Sequence, residues 1–419
     1  MPYETTHLIL IFNEKKLDLI KISPVLNAFE IAKRISFQKQ KNYTRFIVRL
    51  SIAATSISVA AILITLSIVN GFQHVVSDKV YSFWGQIRIA SVNGAPLTID
   101  KNVELELKKL PAVQSVTPFL NQSIVLAYEQ DIEGVVAKGQ PSSNATPFII
   151  EGRGIQPISD RIVSEVVLSQ KLAAILKIKL GAVVRMYFFN AGNVQQRKLT
   201  VVGLYHSGIE DYDSKFIVVD LKLLQQLNNQ PNEIEGYSIA LKKDTKIDAA
   251  NDAVQAKMPV NWVSTTIKDY YPQIFDWIGV QSINRNVTIT IMLIIAIVNL
   301  LTCLFILMLE RVTMIGTLGA LGATSGFIRQ IFLYQASFIC WMGIGLGTLI
   351  GLGLCFLQEK FEWIQLDETA YFIKTLPIDF NVTEIASVII GTAVVCYVSF
   401  LIPTLWIKKI SPTKAIKFD

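Results

Sequence analysis

The chain has 419 residues, 51% hydrophobic and only 17% charged, against about 25% charged in soluble domains, which excludes a purely soluble protein. Its formal net charge of +6 is modest and confined to particular loops, which argues against a nucleic-acid-binding surface. The cysteines (Cys303, Cys340, Cys355 and Cys396) all fall in apolar stretches and the histidines (His7, His74 and His206) are scattered, so neither a zinc motif nor a disulfide-braced outer domain is expected.

Residues 1–45 form a polar segment rich in Lys and Arg. Its apolar run Leu8 to Phe12 is too short for a secretory signal and no basic residue precedes it, so the first long apolar stretch is expected to stay as an anchor. That stretch is assigned to residues 46–72 and has no Asp, Glu, Lys, Arg or His from Leu50 to Phe72. A helix of about 20 such residues crosses a bilayer core of about 30 Å.

Residues 73–285 are mostly polar, and their patterning predicts a mixed α/β domain. Short strands are expected at Ile87 to Ala90 and Ile124 to Tyr128, then a helix at Ser169 to Leu176 with Ser169 as its N-cap and Gly181 beyond it. Strands are expected at Val183 to Phe189 and Lys198 to Leu204, joined by a turn over Asn190 to Arg197, then at Phe216 to Val219, with the last strand at Tyr237 to Leu241. A helix follows near Asp248 to Ala256. Ile267 to Ser282 is amphipathic, with Tyr271, Ile274, Phe275 and Ile278 clustered, and is predicted to run as one stalk helix into the second span. The acidic stretch Gly208 to Lys215 lacks the spacing of an EF-hand loop and reads as a solvated turn. His206 and Ser207 show no partner acid and no catalytic motif around them.

Three further charge-free stretches, 286–309, 330–357 and 385–407, complete four spans. The fold class is an α-helical membrane protein with four transmembrane helices and a mixed α/β extracytoplasmic domain inserted between helices 1 and 2. Lysines and arginines crowd the N-terminal segment, and Lys408, Lys409, Lys414 and Lys417 crowd the tail 408–419, whereas the link 358–384 is acidic. The excess of cytoplasmic Lys and Arg in membrane proteins then places both termini inside and the link outside, with the large domain on the outer side.

The spans hold no ionisable group of the kind secondary transporters and proton pumps need near the midplane. No GxxxxGK[ST] loop occurs to cradle ATP phosphates, so any energy must come from a partner. Gly343, Gly347 and Gly351 recur every fourth residue, a spacing that lets helices approach closely. That face serves ordinary bundle packing or, alternatively, sliding or contact in a dimer. In the link 310–329, Met314, Ile315, Leu318 and Leu321 share one helical side that could enter a groove on a soluble partner.

The segments MLERVTMIGTLGALGA (308–323) and KKISPTKAIKFD (408–419), with the four-span layout, resemble permeases of the FtsX/MacB type, a class of ABC systems. Within that class NAFEIAKRISF, TLSIVNGFQ, VVLSQKLAAILKIKLGAVVRMYF, RKLTVVGLYHSGIEDYDSKFIVVD and YYPQIFDW are similar to the lipoprotein-releasing (LolC/LolE) permeases. The resemblance implies a MacB-like periplasmic core domain at 73–285 and an FtsX-like permease domain at 286–407 in the bacterial inner membrane. It implies a non-catalytic subunit without a cofactor of its own, ATP and Mg being held by two copies of an ATP-binding partner. Force would pass through a cytoplasmic coupling helix carrying Glu310, Arg311, Met314, Ile315, Gly316, Leu318, Leu321 and Gly322. A second permease copy or sister permease, a lipoprotein cargo and a periplasmic lipoprotein carrier are the other implied partners. The carrier-binding hairpin maps to Asn190, Gly192, Val194 and Arg197, though this turn is shorter than the typical hook and lacks prolines. Candidate lipid-path residues are Ile68, Val69, Phe72, Phe275, Ile278, Ile283 and Val287. Alternatives within the class are an FtsX-like protein that transmits force to an extracytoplasmic hydrolase and a MacB-type efflux permease.

Overall fold

The computed structural model describes residues 28–32, 42–157, 162–190, 193–243 and 245–405. In chain order its elements are α1 (Asn42–Trp84), β1 (Ile87–Ser91), β2 (Leu97–Thr98), α2 (Lys101–Lys108), β3 (Val113–Tyr128), β4 (Asp131–Gln140), β5 (Ile149–Gly152), β6 (Glu165–Ser169), α3 (Gln170–Ile175), β7 (Val183–Asn190) and β8 (Asn193–Tyr205). There follow α4 (Glu210–Lys215), β9 (Phe216–Asp220), α5 (Leu221–Leu227), β10 (Glu233–Ile234), β11 (Gly236–Leu241), α6 (Ile247–Gln255), β12 (Trp262–Thr266) and α7 (Ile267–Tyr270). The last are α8 (Pro272–Glu310), α9 (Val312–Ala320), α10 (Ser325–Phe361), α11 (Glu368–Tyr371) and α12 (Val382–Leu405). These make two compact units: a helical one (Met1–Gly71, Gln281–Glu362 and Pro377–Asp419) and an α/β one (Phe72–Val280 and Trp363–Leu376).

The α/β unit is built on one twisted sheet of order β12-β1-β11-β3-β4-β9-β6-β8-β5, with β7 pairing β3 and β8. Strand β3 links its two halves, pairing β11 along Val113 to Phe119 and β4 along Leu120 to Tyr128. Alternating apolar residues of β6, β7, β8 and β9 (Val166, Leu168, Val184, Met186, Val201, Ile217) fill one core with Leu172 of α3 and Leu224 of α5. Ile87, Ile89, Val113, Tyr237 and Trp262 fill the other with Leu107 of α2 and Val254 of α6. Each fully buried aliphatic of this size contributes about 1.5–3 kcal/mol.

Four expectations are corrected here. The strand foreseen at Ile124 to Tyr128 is the far end of the sixteen-residue β3. Tyr237 to Leu241 is not the last strand, because β12 follows and covers the edge of β1. The stalk is not one helix: Tyr271 leaves helical geometry (φ −122, ψ 61) between α7 and α8, as Pro272 disfavours the α conformation in the residue before it. Glu210 to Lys215 is a helical turn that buries Asp213, not a solvated loop.

Among the described residues four helices are long and apolar enough to cross a membrane, Arg45–Trp84, Pro272–Glu310, Ser325–Phe361 and Val382–Ile402, and all four contribute to the helical unit. Val59, Leu63, Leu304, Phe332, Ile344 and Phe400 meet in its core. Gly343, Gly347 and Gly351 of α10 lie against Thr55, Ser56 with Val59, and Ala60 with Leu63 of α1. The small-residue face is therefore filled by a helix of the same chain, which is the packing reading. Asn299 ties α8 to α1, donating to Ser51 O at 3.1 Å and Thr55 Oγ1 at 3.4 Å. At one end of the spans Asn70 joins the charges flanking α8 and α12, accepting from Arg285 and donating to Glu384.

Candidate functional site

The link between the second and third spans forms a short helix with defined stops. Arg311 (φ −107, ψ 16) interrupts the path from α8, and α9 begins at Val312. At its other end Ala323 N donates to Leu318 O at 2.9 Å and Gly322 N to Gly319 O at 3.1 Å, the paired bonds of a Schellman turn. Gly322 supplies the left-handed residue this turn requires (φ +88). Thr324 then caps α10 by accepting from Phe327 N at 3.3 Å. Helix, stop and restart fit in fifteen residues because the sequence provides each signal locally.

The burial of α9 differs from the sequence expectation. Ile315 and Gly316 are buried, and Met314 and Leu318 pack against Ala28, Ala32 and Ile331. The apolar side of Met314, Ile315 and Leu318 thus faces the bundle, because the chain's own helices cover it first. Thr313, Thr317, Ala320 and Leu321 are exposed at helical spacing, Leu321 by 84%. Of the predicted apolar quartet only Leu321 is available to a partner; Glu310 ends α8, and Arg311 and Gly322 flank α9.

The hairpin residues fall differently as well. Strand β8 starts at Asn193, with Asn190 paired to Asn193 and Phe189 to Val194, so Val194 and Arg197 sit in the strand rather than in a turn. The segment Asn190 to Arg197 looked like a loop because Asn, Gly and Gln dominate it. Gly192 lies outside the described residues. Phe189 and Val194, directly opposite each other, are each 58% exposed, and Phe189 was missed by sequence reasoning.

The lipid-path candidates divide by unit. Phe72 and Ile278 are buried together with Val76 and Ile373, and Phe275 packs beside them, so these three build the α/β unit. In the helical unit Ile283 and Val287 are more than half exposed, whereas Ile68 and Val69 are half-buried.

One cluster escaped the sequence altogether. His206 stands between two carboxylates, Nδ1 3.2 Å from Asp213 and Nε2 2.6 Å from Glu368. Asp213 also accepts from Ser207 N at 3.0 Å, Ser207 Oγ at 2.8 Å and Gly208 N at 3.0 Å. Glu368 lies 3.6 Å from Lys374, and Lys79 donates to Phe372 O at 2.7 Å. Burial lowers the pKa of the Lys79 ammonium, opposed by the nearby charges of Glu368 and Asp213. Gly208 (φ +75) has no room for a Cβ, which would stand 2.5 Å from Lys79 Nζ. The cluster fastens Trp363–Leu376, between the third and fourth spans, to the α/β unit. His206 and Glu368 are 162 positions apart, and no local spacing signals such a contact.

Comparison with known proteins accords with this architecture. Residues 50–257 match the family model of the MacB-like periplasmic core domain, and residues 286–412 that of the FtsX-like permease C-terminal domain. The lipoprotein-releasing system transmembrane protein LolC of Neisseria meningitidis is 22% identical over 408 residues, covering 91% of this chain and 96% of that protein. LolE of Haemophilus influenzae is 23% identical over 418 residues, covering 93% and 98%. The crystal structure of the periplasmic region of MacB from Actinobacillus actinomycetemcomitans aligns with a TM-score of 0.34 and 14% identity, over 46% of this chain and 92% of that one. With a MacB-like domain ahead of an FtsX-like one and LolC and LolE as relatives along most of its length, the chain belongs to the FtsX/MacB type of ABC transporter permease.

Proposed function

We propose that the chain is the permease subunit of an ATP-driven complex that releases lipid-anchored proteins from the inner membrane to a periplasmic carrier. Similarity along nine-tenths of the chain to two proteins named for lipoprotein release carries this reading. The chain itself is non-catalytic, and ATP and Mg are bound by two copies of a separate subunit. A second copy of this chain or a sister permease completes the membrane part. Both termini and α9 face the cytoplasm, and the α/β unit stands in the periplasm.

In this reading the ATPase meets the Thr313, Thr317, Ala320 and Leu321 face of α9. Met314, Ile315 and Leu318 pass the displacement inward, since close-packed interiors transmit strain rather than absorb it. On the outer side Phe189 and Val194 offer the carrier an apolar pair at the hairpin tip. Exposed Ile283 and Val287 begin the lipid path.

A hand-off between apolar surfaces is required by the energetics. Acyl burial is worth about 0.8 kcal/mol per methylene, so three chains of about 15 methylenes hold on the order of 36 kcal/mol. No single stroke lifts that into water. The test is reconstitution with the ATPase in liposomes bearing a lipoprotein: release is expected only with both ATP and carrier. ATP-dependent release without carrier refutes the hand-off. A soluble form of the hairpin domain that captures a cell-wall hydrolase, and no lipoprotein carrier, would favour the force-transmitting alternative.

A further inference from the structure

Of two buried cations in the α/β unit, Arg88 and Lys138, only Arg88 is ion-paired. Arg88, 8% exposed, is ion-paired with Glu235 and lies 4.9 and 4.3 Å from the ring centroids of Phe119 and Tyr270. Lys138, 6% exposed on β4, donates to Phe83 O, and its Nζ is 4.0 and 4.5 Å from the ring centroids of Phe83 and Trp84. A carbonyl and two ring faces offset part of the cost of burying an ammonium but supply no counter-charge.

Lys138 lines a cavity of about 520 Å³. Lys108, whose Nζ is 3.9 Å from Glu104 Oε2, reaches the same space, and neither Asp nor Glu is among the lining residues. The rest of the wall is rich in hydroxyls and amides, including Ser115, Thr117, Ser143 and Asn144, with Asn144 Nδ2 donating to Thr117 Oγ1 at 2.9 Å. Two cations and a wall carrying hydroxyls and amides but no carboxylate are complementary to a hydrophilic ligand of negative charge. Tyr81, Phe83, Val116, Phe119 and Pro147 form the apolar part of the wall.

We propose that this cavity binds a small polar oxyanion, a carboxylate or phosphate on a hydrophilic body, with Lys138 as its counter-ion and Lys108 as a second, more exposed cation. None of its lining residues is a lipid-path candidate or a residue of α9, and the proposal does not depend on the lipoprotein-release reading. Burial, aided by the like charge of Arg88, pushes Lys138 down to about 7. An anion would restore its proton, so binding should take up a proton at mildly alkaline pH.

The experiment is calorimetric titration of the full chain in detergent with sodium sulfate and, separately, sodium acetate, whose charges do not change between pH 6 and 8. The ammonium fraction of Lys138 falls from about nine-tenths at pH 6 to about one-tenth at pH 8, so affinity should fall about tenfold. At pH 8 the binding heat should vary with the buffer's ionisation enthalpy. Tighter sulfate binding identifies the phosphate class and tighter acetate binding the carboxylate class. Lys138→Met should abolish binding. Lys108→Gln and Ser143→Ala, at more exposed positions, should weaken it without moving the thermal unfolding midpoint. No saturable heat with either anion, pH-independent affinity, or wild-type binding by Lys138→Met overturns the proposal.

Discussion

Replacing Gly347 with alanine tests the packing of α1 on α10 directly. An added Cβ would stand 2.6 Å from Ser56 O, 2.8 Å from Val59 Cβ and 3.1 Å from Ser56 Cα. Carbon contacts are most favourable at about 3.5–4.0 Å, so the two helices must separate locally by about 1 Å. Overpacking of this kind typically costs about 1–3 kcal/mol. Two residues earlier, Gly345 has nothing within 4 Å of the same added atom, and alanine there should gain about 0.5–1 kcal/mol from helix propensity. The two single-methyl variants should therefore differ by about 1.5–4 kcal/mol, in opposite directions from wild type. Unfolding of the purified chain in mixed micelles with increasing sodium dodecyl sulfate, followed by tryptophan fluorescence, gives both midpoints in one series. Equal midpoints, or a more stable Gly347→Ala, would refute the idea that this small-residue face is a filled contact.

Asp213→Ala strips an acceptor from Ser207 N, Ser207 Oγ and Gly208 N and a partner from His206; a loss of about 2–4 kcal/mol is expected in chemical denaturation, with Asp213→Asn milder. Leu321→Glu and Thr317→Glu should cut ATP-driven release at least tenfold while thermal unfolding stays put, whereas Ile315→Ala should lower the unfolding midpoint. Lys at Glu310 is expected to uncouple ATP hydrolysis from release; a bulky residue at Gly316, which is buried, should also destabilise the bundle, so the pair separates coupling from folding. Stability should also rise with pH through Lys138. The unfolded chain keeps that proton up to 10.5 and the folded chain releases it near 7, so between those values the fold gains about 1.4 kcal/mol per pH unit. The stability of Lys138→Met relative to wild type should shrink by that slope between pH 7.5 and 9, and parallel curves would exclude a depressed Lys138.

What was legible in the sequence followed from local physics. The apolar stretches needed only length and the absence of charge. Ser169 announced the start of α3, where its side chain accepts from Leu172 N. Three things were not local. Periodicity put Met314, Ile315 and Leu318 on one side of α9, but whether that side meets solvent depends on Ala28, Ala32 and Ile331. Polar residues hid the start of β8, because its exposed face alternates with buried Leu199 and Val201 only farther along. The partners of His206 required the fold to bring Glu368 to it.

The segment Trp363–Leu376 belongs to the α/β unit although it connects two spans of the other unit. The backbone therefore passes between the units at four places, after Gly71, Val280, Glu362 and Leu376. Two of these crossings, after Gly71 and Val280, lie inside the unbroken helices α1 and α8, and the other two lie in the link between α10 and α12. A single protease cut inside Trp363–Leu376 would sever none of the four, and the cut ends would stay on the α/β unit through contacts such as that of Glu368 with His206.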